Sequence, residues 1–398
     1  MTAPRASHAP SVGPALPGAA PPRGGPVAWV LYVDLDAYYV ACERRDRPNL
    51  GGRPVIVGPP PSDEAGRGVV LSASYEARAF GVRSAMPTRV AARLCPDAVW
   101  VPPDFPKYER IATEVRELLR PHASALIPYS IDECVLLVGE ASGEEARELA
   151  GRLQRELLEK LGLGASIGIA ASRTVAKIAS DRAKPGGILL VPPGEVVAFL
   201  APLPVRAIPG VGPRTEEVLA RHGIRTIGEL AAHRATDLLR DLGGFARELV
   251  DLARGVPHEP PEEHGEPRSR SADRTLAEDA QNADEVVAVV RRLAGELARS
   301  LETEGVRYGA VVVAFRWSDF ERTQRGRTLS ASREGSETLV DEAERLARAL
   351  WGEERGRRRR GVRTVSVRVE RLSDRDQRQV SLDDYASPGG LRQNGGTG

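Results

Sequence analysis

The chain has 398 residues, room for two or three domains with substantial cores, and its 41% apolar and 28% charged content is that of a globular protein. Its 56 basic and 55 acidic residues leave a net charge of +1, which excludes a histone-like polycation and confines any nucleic-acid contact to local basic patches. No apolar run reaches the roughly 18 residues of a membrane span, so no membrane partner is expected. The three cysteines, Cys42, Cys95 and Cys134, have neither CxxC spacing nor an even count. That argues against a disulfide framework or zinc site and favours a reducing, cytoplasmic setting. Only four of the basic residues are Lys, a bias that reads as coding composition.

Residues 1–26 are rich in Pro and Gly, lack the apolar core of a signal peptide, and read as a disordered tail. Val27–Val33 is an apolar run ending in Asp34-Leu35-Asp36, the pattern of a buried strand. A polar loop at Pro59–Gly68 and a short strand at Val69–Ser72 follow. Ser130-Ile131-Asp132-Glu133 leads into a second apolar strand, Cys134–Val138. A helix from about Glu144 to Leu161 and a strand at Ala165–Ala170 come next. Strands and helices mixed without a strict βαβ rhythm predict an α+β core. Residues 192–256 hold short helical segments punctuated by Pro and Gly, and residues 257–271 are polar and Pro-rich, a linker by composition. Beyond it, Val286, Val290, Leu293, Leu297 and Leu301 recur at helical spacing, as do Leu339, Ala343, Leu346 and Leu350. Val311, Val313, Phe315 and Trp317 alternate as a half-buried strand does, and so do Val365, Val367 and Val369. The order strand, helix, strand, strand, helix, strand predicts a small sheet covered on one face by two helices.

Asp34 and the pair Asp132-Glu133 sit where charge is costly, at the ends of buried strands, and must be paired, hydrogen-bonded or bound to metal. Two such clusters meeting at one sheet edge could hold two divalent cations for in-line phosphoryl or nucleotidyl transfer; hard oxygen ligands point to Mg²⁺ or Mn²⁺. Helix capping or pairing with Arg is the alternative reading of the same residues.

The flanking residues separate these readings. Asp34-Leu35-Asp36-Ala37-Tyr38-Tyr39-Val40-Ala41-Cys42-Glu43 resembles the opening motif of the Y-family DNA polymerases, and Ser130-Ile131-Asp132-Glu133 resembles their second metal motif. Tyr75-Glu76-Ala77-Arg78-Ala79-Phe80-Gly81-Val82 resembles the nucleotide-binding fingers motif. Ala176-Lys177-Ile178-Ala179-Ser180 and Ala183-Lys184-Pro185-Gly186-Gly187 resemble the final palm motif. All stand in family order, and the DinB-type branch fits best. The resemblance implies that Asp34 and Asp132 bridge two Mg²⁺ ions (with Mn²⁺ able to substitute), that Glu133 completes the catalytic site near the primer 3′-OH, and that the Leu35 carbonyl adds a ligand. Alternation along the strand nominates Asp36 as well, but in the family this second Asp is not a ligand and reads as structural. Tyr39 matches the steric gate, where an aromatic ring against the sugar C2′ leaves no room for a hydroxyl; Tyr38 lies beside it. Tyr75, Arg78 and Lys184 match triphosphate-holding positions, chemistry that suits a guanidinium fork and an ammonium. Lys177 is expected to support the site. The sequence departs from the family at Cys134 and Leu137, where a small residue and a further Asp are usual.

Ile208-Pro209-Gly210-Val211-Gly212-Pro213 reads as a helix-hairpin-helix turn, whose glycines Gly210 and Gly212 would let backbone approach DNA phosphate. Arg325-Gly326-Arg327-Thr328 matches a template-contacting strand, Arg325 and Arg327 being the candidates, with Arg268, Arg270, Arg274 and the Arg357–Arg360 run as further basic residues. Gln379–Tyr385 loosely resembles a tail motif that docks on the bacterial sliding clamp. The expected layout is a tail at 1–26, a palm of 27–36 and 104–191, fingers at 37–103, a thumb at 192–256, a linker at 257–271, a βαββαβ little finger at 272–372 and a C-terminal tail at 373–398. Together these features predict a multidomain right-hand, template-directed translesion DNA polymerase, monomeric, acting on primer–template DNA and dNTPs. A non-catalytic DNA-binding adaptor on the same fold is the alternative; a two-metal nuclease would need neither gate nor triphosphate motif.

Overall fold

The computed structural model describes residues 27–61, 67–256, 268–333, 336–355 and 361–374. The expected tail at 1–26, most of the expected linker, the Arg357–Arg360 run and the Gln379–Tyr385 segment lie outside them. Contacts divide the chain into two units.

Among the described residues, the first unit takes in 27–58, 70–85 and 94–256. Strand β1 (Val27–Leu35) runs along the expected apolar stretch and leads into α1 (Tyr38–Asp46). Next come β2 (Val55–Val57), β3 (Ser72–Ala73), α2 (Tyr75–Ala79) and β4 (Val99–Val101), with α3 (Thr88–Leu94), most of which groups with the second unit, between α2 and β4 in the chain. These strands form a small sheet in the order β3-β2-β4. The strand expected at Val69–Ser72 is thus shorter and later: Val69, half exposed, makes only an isolated bridge to Pro87. Then follow α4 (Phe105–Leu119), β5 (Ala125–Pro128), β6 (Glu133–Ala141), α5 (Gly143–Leu161), β7 (Ala165–Ala170), α6 (Arg173–Ala183) and β8 (Ile188–Leu190).

The main sheet has the order β5-β6-β1-β7-β8. Alternation along β1 assigns its faces. Leu31, Val33 and Leu35 join the core beneath α4 and α5, while Val30 and Tyr32 join the core beneath α6. Helix α5 starts at a capping box, Ser142 with Glu145, and stops at Gly162 in a left-handed conformation, φ 67°. Helix α6 lies unusually close to the sheet. A Cβ on Gly168 of β7 would stand 1.9 Å from the Ala176 carbonyl oxygen and 2.3 Å from the Ser180 nitrogen. The short helices α7 (Val196–Leu200), α8 (Pro213–Arg221), α9 (Ile227–Ala232), α10 (Ala235–Leu242) and α11 (Phe245–Ala253) bury Leu219, Ile227, Leu230 and Leu249 in the α6-side core.

Among the described residues, the second unit takes in 268–333, 336–355 and 361–374 with the stretches 59–61, 67–69 and 86–93. It contains β9 (Ser269–Ala280), α12 (Ala283–Glu304), β10 (Val306–Trp317), β11 (Arg322–Arg333), α13 (Ser336–Arg355), β12 (Val362–Glu370) and β13 (Ser373–Asp374). The first six follow the predicted βαββαβ order. The sheet runs β11-β10-β12-β9, with β13 on β10. Val311, Val313, Phe315 and Trp317 face Val290, Leu293, Leu346 and Leu350 of the two helices, as the alternation predicts. Within this unit Arg67 pairs with Asp279 at 2.8 Å and donates to the Leu276 carbonyl. Among the described residues no helix is long and apolar enough to cross a membrane.

The contact at Gly168 generates a prediction. Gly168→Ala forces α6 off β7 and costs about 2–3 kcal/mol of stability in urea unfolding; an unchanged midpoint would show that the helix can move away freely.

Candidate active site

The site begins as a consequence of strand register. Asp34 of β1 stands opposite Glu133 of β6, and it continues the face that carries Val30 and Tyr32 beneath α6. Two carboxylates directly across an antiparallel ladder repel, and α6 supplies the compensating charge. Lys177 Nζ donates to Asp34 Oδ2 at 3.0 Å, to Glu133 Oε1, and to Asp181 Oδ1 at 3.1 Å. Lys184, at the end of α6, lies 2.7 Å from the same Asp34 oxygen and 3.0 Å from Asp181. Burial pushes the Asp34 pKa above the usual carboxylate value, against the pull of both lysines. Burial also works against a charged Lys177, but Asp34, Glu133 and Asp181 outweigh it and hold its pKa above the usual lysine value.

Asp132 precedes β6. Its carboxylate accepts from Ser130 Oγ at 2.6 Å, and the same hydroxyl reaches Glu133 at 3.3 Å. Its backbone carbonyl takes the Leu35 N–H at 2.9 Å, which locks the ends of β1 and β6 together. Among the described residues no three His, Cys, Asp or Glu side chains converge into a ready metal cluster, because Lys177 stands between Asp34 and Glu133. The donor set nonetheless fits a hard divalent cation: three carboxylates with oxygen ligands only, two of them already arranged around positive charge.

Between β1 and α1 the chain turns a corner at Ala37, which holds a left-handed φ of 46°. For a residue with a Cβ this is a strained conformation, of the kind concentrated at functional sites. The corner places Tyr38 and Tyr39 beside Asp132. Burial first, and the Asp132 charge among the lesser causes, raise the pKa of both phenols. Tyr38 is buried and donates to the Tyr108 carbonyl at 2.6 Å. Tyr39 is partly exposed, its ring edge-on to Tyr108 at 4.9 Å and to Phe105 at 6.4 Å. Tyr108 in turn donates to the buried Glu43 carboxylate at 2.7 Å, and Lys107 neutralises that carboxylate from 2.7 Å.

On the other side of Asp34, α2 begins with Tyr75, and the Arg78 guanidinium stacks over its ring at 4.7 Å while donating to the Ala73 carbonyl. Tyr75 donates to Asp36 at 3.2 Å. Burial, then the Asp36 charge, push its phenol up to about 12, so the hydroxyl keeps its proton. The structure therefore joins Asp34, Glu133, Lys177 and Lys184 in one ion-paired set, with Tyr75 and Arg78 stacked on each other and tied to the neighbouring Asp36, and Asp132, Tyr38 and Tyr39 around the corner.

The remaining candidates lie elsewhere. Gly210 has φ 90°, which only glycine adopts readily, and Gly212 caps α8 ahead of Pro213. Arg325 and Arg327 stand opposite Val313 and Val311, on the helix-covered side of the sheet. There Arg325 pairs with Glu353 and Arg327 with Glu342, both on α13, so DNA contact by either guanidinium competes with a glutamate.

Reading the sequence missed Tyr108, Glu43 and Lys107 behind Tyr39, and Ser166 and Asp181 around the carboxylates. One signal was available. Three of the four lysines (Lys107, Lys177 and Lys184) sit on buried carboxylates. In a chain that writes nearly every cation as Arg, the exceptions mark where a compact ammonium is needed.

Lys177→Met leaves two facing carboxylates with one partner fewer. In EDTA-containing buffer it should lower stability to urea by about 2–3 kcal/mol; parent-like stability would contradict the bridging role of this lysine.

Three family patterns match the chain: the impB/mucB/samB family over residues 33–181, its C-terminal domain over 267–382, and its helix-hairpin-helix motif over 193–224. A protein of Methanoculleus marisnigri named DNA polymerase IV is 39% identical over 361 residues, covering 90% of this chain and 98% of that protein. A solved Y-family DNA polymerase chimera of Dbh and Dpo4 superposes with a TM-score of 0.79 at 26% identity, covering 87% of this chain and 99% of its own. An insertion ternary complex of Dbh DNA polymerase superposes at 0.61 and 27% identity, with coverage of 87% and 99%. With motif order, fold and relatives in agreement, the chain belongs to the Y family of DNA polymerases, in its DinB-type, DNA polymerase IV branch, and is a DNA-directed DNA polymerase.

Proposed function

We propose that the protein performs translesion synthesis on primer–template DNA with the site built around Asp34, Asp132 and Glu133. The observation that carries this reading is the register pairing of Asp34 with Glu133 beside two lysines, with Tyr75 and Arg78 adjoining. Asp34, Asp132, Glu133 and the Leu35 carbonyl would hold two Mg²⁺ ions, or Mn²⁺ in their place. The chemistry supplied on binding would be activation of the attacking 3′-oxygen and an offset of charge on the phosphates.

The chain's own groups do the rest. Lys184 and Arg78 hold the β- and γ-phosphate oxygens, an ammonium as a point charge and a guanidinium as a fork, and keep the departing pyrophosphate in line. Tyr75 adds a hydroxyl at the same end. The Tyr39 ring, wedged against Tyr108 and Phe105, lies against the sugar C2′ and excludes a ribose hydroxyl, with Tyr38 fixing its backbone from the core. Gly210 and Gly212 bring thumb backbone to duplex phosphate. Arg325 and Arg327 reach the template strand by exchanging glutamate for phosphate. The palm, fingers, thumb and little finger divide at the boundaries read from the sequence, the protein acts as a monomer in the cytoplasm, and Gln379–Tyr385 docks on the bacterial sliding clamp.

Primer extension with Mg²⁺ and four dNTPs tests the site. The parent should extend an undamaged primer, and Asp132→Ala/Glu133→Ala should lose roughly 10³-fold or more of that rate while still binding DNA. Extension by the double variant at the parent's rate would refute the carboxylate assignment. Tyr39→Ala should lose roughly 10- to 100-fold of its discrimination against ribonucleotides, measured as the ratio of kcat/KM values. Undiminished discrimination would move the gate to another residue.

A further inference from the structure

Strand β1 ends at Leu35, and the next side chain, Asp36, joins neither the Asp34–Glu133 pair nor its lysines. Its backbone N–H is fixed to the Gly164 carbonyl at 2.9 Å. Its carboxylate is spent on three neutral donors from three elements. Oδ1 accepts from Ser166 Oγ of β7 at 2.9 Å and from the Tyr75 hydroxyl of α2 at 3.2 Å. Oδ2 accepts the backbone N–H of Gly186, in the turn between α6 and β8, at 2.8 Å. That N–H is shared with Ser166 Oγ at 3.0 Å, and Ser166 is fully buried. Gln154 holds the other side of the turn, donating to the Gly186 carbonyl at 2.9 Å and to that of Ala165 at 2.8 Å.

We infer that Asp36 is a positioning residue for the incoming nucleotide: its carboxylate clasps the Lys184–Gly186 turn and the Tyr75 ring to the palm strand. Two of the three elements it joins carry groups assigned to the triphosphate, and Lys184 lies only two residues from the clasped Gly186. A carboxylate accepting hydrogen bonds from neutral donors makes strong, directional contacts, and an ammonium on a loosened turn loses its aim at phosphate. The inference rests on the reading of Tyr75 and Lys184 as triphosphate-holding residues. An asparagine can keep the clasp: its carbonyl accepts from Gly186, and its amide donates to the Ser166 and Tyr75 oxygens. An alanine cannot.

Single-nucleotide insertion by the full chain on primer–template DNA separates the possibilities, using Asp36→Ala, Asp36→Asn, Ser166→Ala and Lys184→Ala. Asp36→Ala should raise the KM for dNTP roughly tenfold with kcat within about twofold of the parent, and Asp36→Asn should restore KM to within about threefold. Ser166→Ala, which leaves the carboxylate in place, should raise KM by a smaller factor in the same direction, and this arm decides the matter if Asp36→Ala does not fold. Lys184→Ala serves as the control on the underlying reading: an unchanged KM there would sink the triphosphate assignment itself. A raised KM in Lys184→Ala with parent-like KM in both Asp36→Ala and Ser166→Ala would overturn the clasp alone. A loss confined to kcat in both Asp36 variants would also overturn it, since that is the signature of a ligand to the reacting centre.

Discussion

Asp34 and Glu133 face one another across the β1–β6 ladder, and the repulsion between them sets the terms for everything packed around this end of the sheet. A buried carboxylate facing a half-buried one holds such a place only with a cation between them, and Lys177 supplies it from α6. To bring an ammonium that deep, the helix must lie almost on the strand, which is why β7 has glycine at 168. The same helix then ends in Lys184, the second ammonium on Asp34, and its apolar side chains Val175, Ile178 and Ala179 belong to the same core cluster as residues of α8, α9 and α11. The electrostatics of one residue pair thus bear on the seat of a helix whose apolar face shares a core with the neighbouring helical segment.

Around the corner at Ala37 the logic changes from charge to packing. Tyr39 gets its orientation from a ring cluster, Tyr38, Phe105 and Tyr108, and the cluster is pinned by a buried carboxylate, Glu43, with Lys107 on it. A ring held this way is stiff, because moving it disturbs several edge-to-face contacts together. On the opposite flank the contacts are hydrogen bonds through Asp36, which link a strand, a short helix and a turn. The Tyr39 flank of the site is therefore held by aromatic packing and the Asp36 flank by polar contacts, a division that suits the proposed sugar and phosphate ends.

Much of this was legible in the sequence. One apolar run ending in an acid and another opening after two acids marked β1 and β6 and nominated Asp34, Asp132 and Glu133, and strict alternation marked β10 and β12 with their helical cover. What could not be read were contacts set by register and close approach. Alternation alone put Asp36 on the face of Asp34, and only the strand's end at Leu35 and the left-handed Ala37 send it elsewhere. Arg325 and Arg327 looked like free cations because a sequence does not show that α13 carries Glu353 and Glu342 over the same edge. Nor does a sequence show that Arg67 pairs with Asp279, more than two hundred positions away in the chain.

The most direct test is a crystal structure of the full chain with primer–template DNA, the complementary dNTP and Mg²⁺. The expected result is a triphosphate contacted by Tyr75, Arg78 and Lys184, the Tyr39 ring against the sugar, and Asp34 and Glu133 oxygens about 2.1 Å from metal, with Lys177 displaced from between them. A nucleotide bound away from Lys184, with Asp34 and Glu133 still bridged by Lys177 alone, would contradict it.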